Sequence, residues 1–174
     1  MNNTVRITSG IYRGRVISTP GKKTHPMGNR ERLALFNMIS DYLPGARVLD
    51  AYAGSGALGI EAISRGAERV VFVEKFHDAA KCISKNLKTL SIDSGEVLSK
   101  KVEEFDTGEN FNVILADPPY DEYEPDGATN LVQFLNNNGI FVLSHPGEAP
   151  KIDGLSLKTS KKYSGATISV YVKE

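Results

Sequence analysis

The sequence has little of what marks a secreted, disulfide-bonded or membrane protein. Its single cysteine, Cys82, cannot form an intrachain disulfide, and its helical spacing from Ala79, Ile83 and Leu90 predicts a small apolar filler. No apolar run approaches the roughly 20 residues that a membrane-spanning helix needs, and no apolar N-terminal segment precedes a cleavage site. We therefore expect a soluble, cytoplasmic protein.

Net charge is also absent, because 21 basic residues balance 21 acidic ones. This balance argues against a protein that binds polyanions over its whole surface. The signs are nevertheless separated along the chain, since residues 1–32 carry seven Lys and Arg against one Glu, whereas 103–126 carries nine carboxylates and no Lys or Arg. The basic segment predicts either phosphate contact or a solvated hairpin without a binding role. The candidate RNA-binding residues are Arg6, Arg13, Arg15, Lys22 and Lys23.

Motifs for metal, nucleophilic and phosphate-loop chemistry are missing. His25, His77 and His145 are too scattered for a metal-ligand spacing, and the one cysteine offers them no partner. Neither a serine nucleophile motif nor a Gly-x-x-x-x-Gly-Lys loop is present. We expect no metal.

What is present is an alternation of strand and helix patterns after a short N-terminal hairpin. The hairpin lies between Val5 and Thr19, and an amphipathic helix begins at Gly28-Asn29 and stops at Pro44-Gly45. The predicted strands are 47–51, 70–74, 97–99, 113–117 and 140–144, and the predicted helices are 58–65, 78–90, a short piece at 102–105, and 129–136. Strands 155–163 and 166–173 then predict an antiparallel hairpin.

The pattern predicts an α/β fold with a doubly wound, Rossmann-like and mostly parallel sheet. At 174 residues and 40% hydrophobic content, one domain is expected. Within residues 1–174, the segment 1–28 would form a basic hairpin extension and 29–174 the catalytic sheet.

A glycine-rich segment follows the first predicted parallel strand. Asp50 ends the strand, and Ala51-Tyr52-Ala53-Gly54-Ser55-Gly56-Ala57-Leu58-Gly59 places glycines where the chain turns into a helix. Glu74, 20 residues beyond Gly54, ends the next strand, where its carboxylate can accept hydrogen bonds from both hydroxyls of a ribose. These features predict an adenosine-type ligand at the carboxyl ends of the strands.

The same glycine spacing leaves a nicotinamide dehydrogenase, or a tight turn without a ligand, as alternatives. Dinucleotide sites usually place the first glycine directly after the strand, whereas Asp50 lies four residues before Gly54. A carboxylate at that position suits the amino group and sulfonium of S-adenosylmethionine better than a pyrophosphate. We therefore predict S-adenosylmethionine as the cofactor.

Asp117-Pro118-Pro119-Tyr120 follows the fourth parallel strand, whose loop is expected to face the glycine segment. The Asp117 carboxylate and the Pro118 carbonyl can accept the two N–H bonds of an exocyclic amine and turn its lone pair toward a methyl group. Pro119 stiffens the loop, and Tyr120 can stack on a base. The tetrapeptide predicts methylation of an amino nitrogen, with a rigid structural turn as the alternative.

Several motifs in this order resemble the RsmD family of bacterial 16S ribosomal RNA guanine-N2 methyltransferases, over nearly the whole chain. They are Gly10-x-Tyr12-x-Gly14-Arg15, Arg32-x-x-Leu35-Phe36-Asn37, Val48-Leu49-Asp50, Ala53-Gly54-Ser55-Gly56-Ala57-Leu58-Gly59-x-Glu61-Ala62, Ser64-Arg65-Gly66-Ala67, Val73-Glu74-Lys75, Asn86-Leu87 and Asp117-Pro118-Pro119-Tyr120. The chain departs from the family with His25-Pro26-Met27 in place of Arg-Pro-Thr, Lys101 in place of Asn or Asp, and an extra residue at Tyr163-Ser164-Gly165.

The resemblance implies a class I methyltransferase fold and a monomer that methylates guanine N2 in 16S rRNA or in the assembling small ribosomal subunit. The implied donor-binding residues are Asp50, Ala53, Gly54, Ser55, Gly56, Glu74, Lys75, Val102 and Asp117, and the implied catalytic residues are Asp117, Pro118, Pro119 and Tyr120.

Two other functions remain open on the sequence. A DNA adenine-N6 or cytosine-N4 methyltransferase would use the same chemistry, but duplex reading needs a recognition region for which this chain has little length beyond the sheet. A non-catalytic RNA- or nucleoside-binding module would keep the pocket without turnover.

Overall fold

The computed structural model describes residues 4–21, 27–121 and 123–174. Its strands are β1 (Thr4–Arg6), β2 (Val16–Ser18), β3 (Arg47–Ala51), β4 (Arg69–Glu74), β5 (Gly95–Ser99), β6 (Phe111–Ala116), β7 (Leu135–His145), β8 (Leu155–Lys162) and β9 (Thr167–Lys173). Its helices are α1 (Asn29–Met38), α2 (Ala57–Ser64), α3 (His77–Thr89) and α4 (Pro125–Thr129), and 3₁₀ turns cover Ser40–Tyr42, Val102–Glu104 and Asn130–Phe134.

A seven-stranded sheet in the order β5-β4-β3-β6-β7-β9-β8 organises the molecule. Strands β3 to β7 are parallel, whereas β9 pairs antiparallel with both β7 and β8. The strand order reverses between β3 and β6, where a doubly wound sheet opens a crevice for ligands. The predicted α/β fold with a mostly parallel sheet and a C-terminal antiparallel hairpin is confirmed.

The two faces of the sheet carry separate hydrophobic clusters. One cluster packs α1, α2, α3 and the N-terminal hairpin on one face, and the other packs α4 and the 3₁₀ turns at Val102–Glu104 and Asn130–Phe134 on the opposite face. Central strands are therefore apolar on both sides, as Val48 and Leu49 on β3 illustrate by being fully buried on opposite faces.

The N-terminal hairpin is joined to α2 by buried polar contacts. Glu61, fully buried on α2, accepts hydrogen bonds from the Thr8 N–H (3.0 Å), the Thr8 hydroxyl (2.6 Å) and the Ser9 N–H (3.1 Å). Arg65 donates to the same carboxylate at 3.0 Å, and the buried Arg32 of α1 lies 3.7 Å from it. These charges hold α1, α2 and the hairpin together in one packed unit.

Three local expectations differ from the structure. The predicted helix 129–136 is replaced by α4, a 3₁₀ turn and the first residues of β7, because Leu135 pairs with Phe111 before the irregularity at Asn136–Gly139. The first long helix ends at Met38 and continues only as a 3₁₀ turn to Tyr42. Cys82 is half-buried, and its Sγ lies 3.3 Å from the Ser18 carbonyl, so it lies against the hairpin and outside the core.

Candidate active site

The carboxyl ends of β3, β4, β6 and β7 open into one large cavity of about 1020 Å³. The strand register aligns Ala51 with Val73 on one side and with Ala116 on the other, so the residues that follow these strands converge. The cavity lining contains both predicted motifs, the glycine loop and Asp117-Pro118-Pro119-Tyr120. The two halves of the predicted site therefore share one pocket.

Glu74 connects the end of β4 to the glycine loop. Its carboxylate accepts hydrogen bonds from the Gly54 N–H at 2.7 Å and from the Phe76 N–H at 2.8 Å, one to each oxygen. Each carboxylate oxygen has room for a second donor, so the side chain can still accept ribose hydroxyls. The residue predicted to bind the ribose also fixes the loop beside it.

Asp50 is a buried acid at the end of β3. Its carboxylate accepts the Gly59 N–H at 2.8 Å, and a Cβ added at Gly59 would meet the same carboxylate and the Phe72 ring. Burial raises the pKa of Asp50 well above its usual range, the Gly59 hydrogen bond partly opposes this, and the charges of Asp117 and Glu74 add to it. A cationic ligand beside Asp50 would favour the charged carboxylate.

Asp117, Ser144 and Tyr120 form a hydrogen-bonded group at the ends of β6 and β7. The Tyr120 and Ser144 hydroxyls lie 2.6 Å apart, and Ser144 also hydrogen-bonds the Asp117 carboxylate. Burial raises the pKa of Asp117 to about 6, against the lowering effect of the Ser144 hydrogen bond. Asp117 therefore ionises within the range in which most enzymes work, and Tyr120 is held while 37% of it stays exposed.

The remaining predicted donor-binding residues lie near these two acids. Ala53, Ser55, Lys75 and Val102 line the cavity, whereas Gly56, the N-cap residue before α2 with a φ of +80°, does not line it. Pro118 and Pro119 also line the cavity, the first buried and the second exposed. Lys101, which replaces the family's usual Asn or Asp, is an exposed lining residue next to Val102.

Several lining residues were not predicted as site residues from the sequence, and three of them bear on the chemistry. Ser144 lies in an apolar strand pattern, where nothing in the sequence distinguishes it from a core serine. Phe76 is 43% exposed, and the Lys75 ammonium group lies over its ring, 5.0 Å from the ring centre. Tyr52 has a φ of +61° in the glycine loop, a conformation that costs a non-glycine residue about 1 kcal/mol or more. Burial, with the nearby Glu103 charge, raises the pKa of Tyr52 to about 12.

The three predicted RNA-binding residues that the structure describes lie outside the cavity lining. Arg6, Arg13 and Arg15 are exposed on the hairpin, and Arg6 donates to the Gly14 carbonyl at 2.9 Å. Lys22, Lys23, His25 and Pro26 lie outside the described residues.

Across residues 4–21, 27–121 and 123–174, no group of His, Cys, Asp and Glu side chains is arranged to hold a metal ion. None of the helices in these ranges is long and apolar enough to cross a membrane.

Comparison with known proteins identifies the family. The model of the family described as Conserved hypothetical protein 95 matches residues 5–172. The chain belongs to this family. It is the RsmD family that the sequence resembles, and that resemblance is confirmed.

Relatives of this family are similar over almost the full length of the chain. A Bacillus subtilis protein named as a candidate rRNA methyltransferase, YlbH, is 34% identical over 97% of this chain and 99% of its own. The Ribosomal RNA small subunit methyltransferase D of Haemophilus influenzae is 33% identical over 85% of this chain and 82% of its own. The structure of the candidate methyltransferase yhhF from Escherichia coli superposes with a TM-score of 0.90 at 29% identity, over 99% of both chains.

Proposed function

We propose that this RsmD-family protein transfers a methyl group from S-adenosylmethionine to the exocyclic amino nitrogen of a nucleobase in small-subunit ribosomal RNA, with guanine N2 as the target. The observation that carries the proposal is the convergence of the glycine loop, Glu74 and Asp117-Pro118-Pro119-Tyr120 on one cavity. The relatives named as small-subunit rRNA methyltransferases support the choice of RNA.

The cavity fits the donor chemically. Glu74 offers acceptors for ribose hydroxyls, the exposed Phe76 ring offers a flat surface for a purine, and Asp50 offers a buried carboxylate for an ammonium group. A volume of about 1020 Å³ also leaves room for a nucleobase beside the donor. When bound, S-adenosylmethionine supplies a methyl group on a positively charged sulfur.

The chain's own residues then prepare the amine. The lone pair of an exocyclic amine is delocalised into the ring, so the nitrogen must be turned toward tetrahedral geometry before it can attack. The ionised Asp117 carboxylate and the Pro118 carbonyl accept its two N–H bonds, and Tyr120 holds the plane of the base by stacking. Asp117, with a pKa of about 6, can also accept the proton that the nitrogen loses after methylation.

RNA is favoured over duplex DNA by the size and charge of the chain. Beyond the sheet and the helices that pack on it, the described chain adds only the short hairpin and the residues around α4, which is too little for a separate recognition domain. The hairpin arginines Arg13 and Arg15 are exposed and suited to phosphate contact. A base presented by folded RNA or a ribosomal particle needs less recognition surface than a base flipped from a duplex.

The decisive experiment combines nucleoside analysis with a catalytic variant. Small-subunit rRNA from cells lacking the gene should lose one N2-methylguanosine, measured by mass spectrometry, and the wild-type gene should restore it. The Asp117→Ala variant should not restore it. A non-catalytic RNA-binding module would instead keep its RNA affinity with Asp117→Ala and would have no methyl-transfer activity to lose. An unchanged nucleoside profile on deletion would remove the RNA assignment, and loss of a different methylated amine would correct the target base.

A further inference from the structure

The exposed lining residues of the cavity fall into two groups, one beside Glu74 and one beside Tyr120. On the donor side, Lys75, Phe76 and Lys101 are exposed beside the buried Glu74 and Val102. On the other side, the exposed lining residues include Gly28, Pro119, Tyr120, Ser164 and Gly165. Because Tyr120 lies on this second side, it is the opening through which a base can reach Asp117.

The target-side opening is framed by two elements that are far apart in sequence. Gly28 immediately precedes α1, and Ser164-Gly165 forms the turn between β8 and β9, which is closed by a 2.7 Å hydrogen bond from the Tyr163 N–H to the Ala166 carbonyl. Lys162 pairs with Thr167, which in turn pairs with His145 at the carboxyl end of β7. The end of β8 therefore lies level with the opening.

Charge is distributed unequally around this opening. Arg30 is exposed in the first turn of α1, and Lys161 and Lys162 are exposed at the end of β8. The segment after Tyr120 carries the exposed carboxylates Asp121 and Glu124, both of which line the cavity. A polyanion is attracted to the three basic residues and repelled by the two carboxylates.

We propose that the target nucleotide enters between the start of α1 and the β8–β9 turn, and that Arg30, Lys161 and Lys162 bind the RNA phosphates that flank it. This inference rests on the proposed function and adds a second phosphate-binding surface, separate from the hairpin arginines. Lysines on an edge strand also prevent sheet-to-sheet association, so the test must measure RNA binding directly.

The test is charge reversal of the two lysines in the full chain, Lys161→Glu/Lys162→Glu. Its matched control is Lys88→Glu/Lys151→Glu, which makes the same charge change at exposed lysines before the amino ends of β5 and β8. The probe is small-subunit rRNA transcribed in vitro, with affinity measured over a series of KCl concentrations. S-adenosylhomocysteine affinity, measured by calorimetry, reports whether each variant keeps its folded pocket.

The Lys161→Glu/Lys162→Glu variant should bind the rRNA at least about 10-fold more weakly than wild type. Its slope of log affinity against log salt should be smaller by about 1 to 2. Its S-adenosylhomocysteine affinity should match wild type, and the control should change RNA affinity less than about 2-fold. Equal losses of RNA affinity in the test and control variants, or no loss in Lys161→Glu/Lys162→Glu, would overturn the phosphate-binding surface while leaving the proposed function intact. If the wild-type protein neither binds nor methylates the RNA, both proposals fall together.

Discussion

Asp117 is the residue on which the proposed chemistry depends most, and its burial makes the chemistry sensitive to pH. Because the pKa of Asp117 is raised to about 6, the carboxylate is protonated below that pH and loses an acceptor site for the amine. We predict that kcat/KM rises as the pH increases through about 6 and then levels off. The measurement is methyl transfer to small-subunit rRNA across pH 5 to 8.

The matched variants separate this carboxylate from others. Asp117→Asn should lower kcat about 100-fold or more, as expected for loss of a hydrogen bond made to the reacting group. It should also abolish the acid limb of the pH profile, which is the fall in kcat/KM below about pH 6. Asp106→Asn, at an exposed carboxylate outside the cavity lining, should leave both unchanged. An acid limb that persists in Asp117→Asn would assign the ionisation to another group.

Ser144 is predicted to act as a positioning residue for Tyr120 and Asp117. Ser144→Ala removes the 2.6 Å hydrogen bond to the Tyr120 hydroxyl and the hydrogen bond that lowers the pKa of Asp117. We expect kcat to fall several-fold while KM for RNA changes little, and the acid limb to move to higher pH. Both parameters and the limb come from the same pH series.

A double-mutant cycle tests whether the Ser144–Tyr120 bond is the cause. Tyr120→Phe removes the same bond but keeps the ring for stacking, so the double variant should be no worse than Ser144→Ala alone. Ser144→Thr keeps the hydroxyl and should retain most activity. Additive losses would mean that the two hydroxyls act independently, which would contradict the positioning role.

Gly10 determines how closely the hairpin element approaches α2. Its φ is +81°, and a Cβ there would overlap the Ser64 carbonyl, which accepts the Ile11 N–H at 2.9 Å. Gly14 has a similar φ of +83° but open space around it, so it is a matched control for backbone strain. We predict that Gly14→Ala costs about 1 kcal/mol from strain alone, whereas Gly10→Ala costs about 1 to 2 kcal/mol more. Urea unfolding of both variants measures the difference, and equal losses would show that the close approach to Ser64 contributes nothing.

Elements with clear periodicity and clear stops were predictable from the sequence, and the irregular ones were not. The strands β3, β4 and β6 follow apolar runs that end in chemically distinctive residues such as Asp50, Glu74 and Asp117. The region 129–136 has helical spacing but forms the last residue of α4, a 3₁₀ turn and the start of β7, because Leu135 pairs with Phe111 in the sheet. Such pairing depends on tertiary contacts that local propensity does not contain.

The site was predictable to the extent that its residues lie in loops after strands. Asp50, Gly54, Glu74 and Asp117 follow from that rule together with their chemistry. Ser144 does not, because a serine at the end of a buried strand acquires its role only from Asp117 and Tyr120, which follow the neighbouring strand β6. The buried ion pair between Arg32 and Glu61 was also not predicted, because two residues on different helices have no fixed sequence spacing that would indicate their contact.

For the whole molecule, the basic hairpin and the cavity predict RNA binding that depends on salt. Arg13→Glu/Arg15→Glu should weaken rRNA binding and lower the slope of log affinity against log salt by about 1 to 2. Fewer counterions are released on binding when fewer phosphates are contacted. S-adenosylhomocysteine affinity should not change, since neither arginine lines the cavity. Filter binding over a KCl series measures the slope, and an unchanged slope would make the hairpin a solvated surface without a binding role.

Ligand-dependent stability of the whole chain distinguishes a methyl-donor site from a dinucleotide site. A ligand at 100 times its Kd adds about 2.7 kcal/mol to the free energy of unfolding, which corresponds to roughly 5 to 11 °C in Tm for a chain of this size. We predict such a shift with S-adenosylhomocysteine and none with NADH. Glu74→Gln should reduce the shift because the ribose acceptor and the Gly54 contact are both weakened, whereas Glu104→Gln, exposed and outside the cavity lining, should not. A shift with NADH and none with S-adenosylhomocysteine would reverse the cofactor assignment, because the glycine loop and Glu74 fit either ligand and Asp50 is the residue of this donor site that favours the methyl donor.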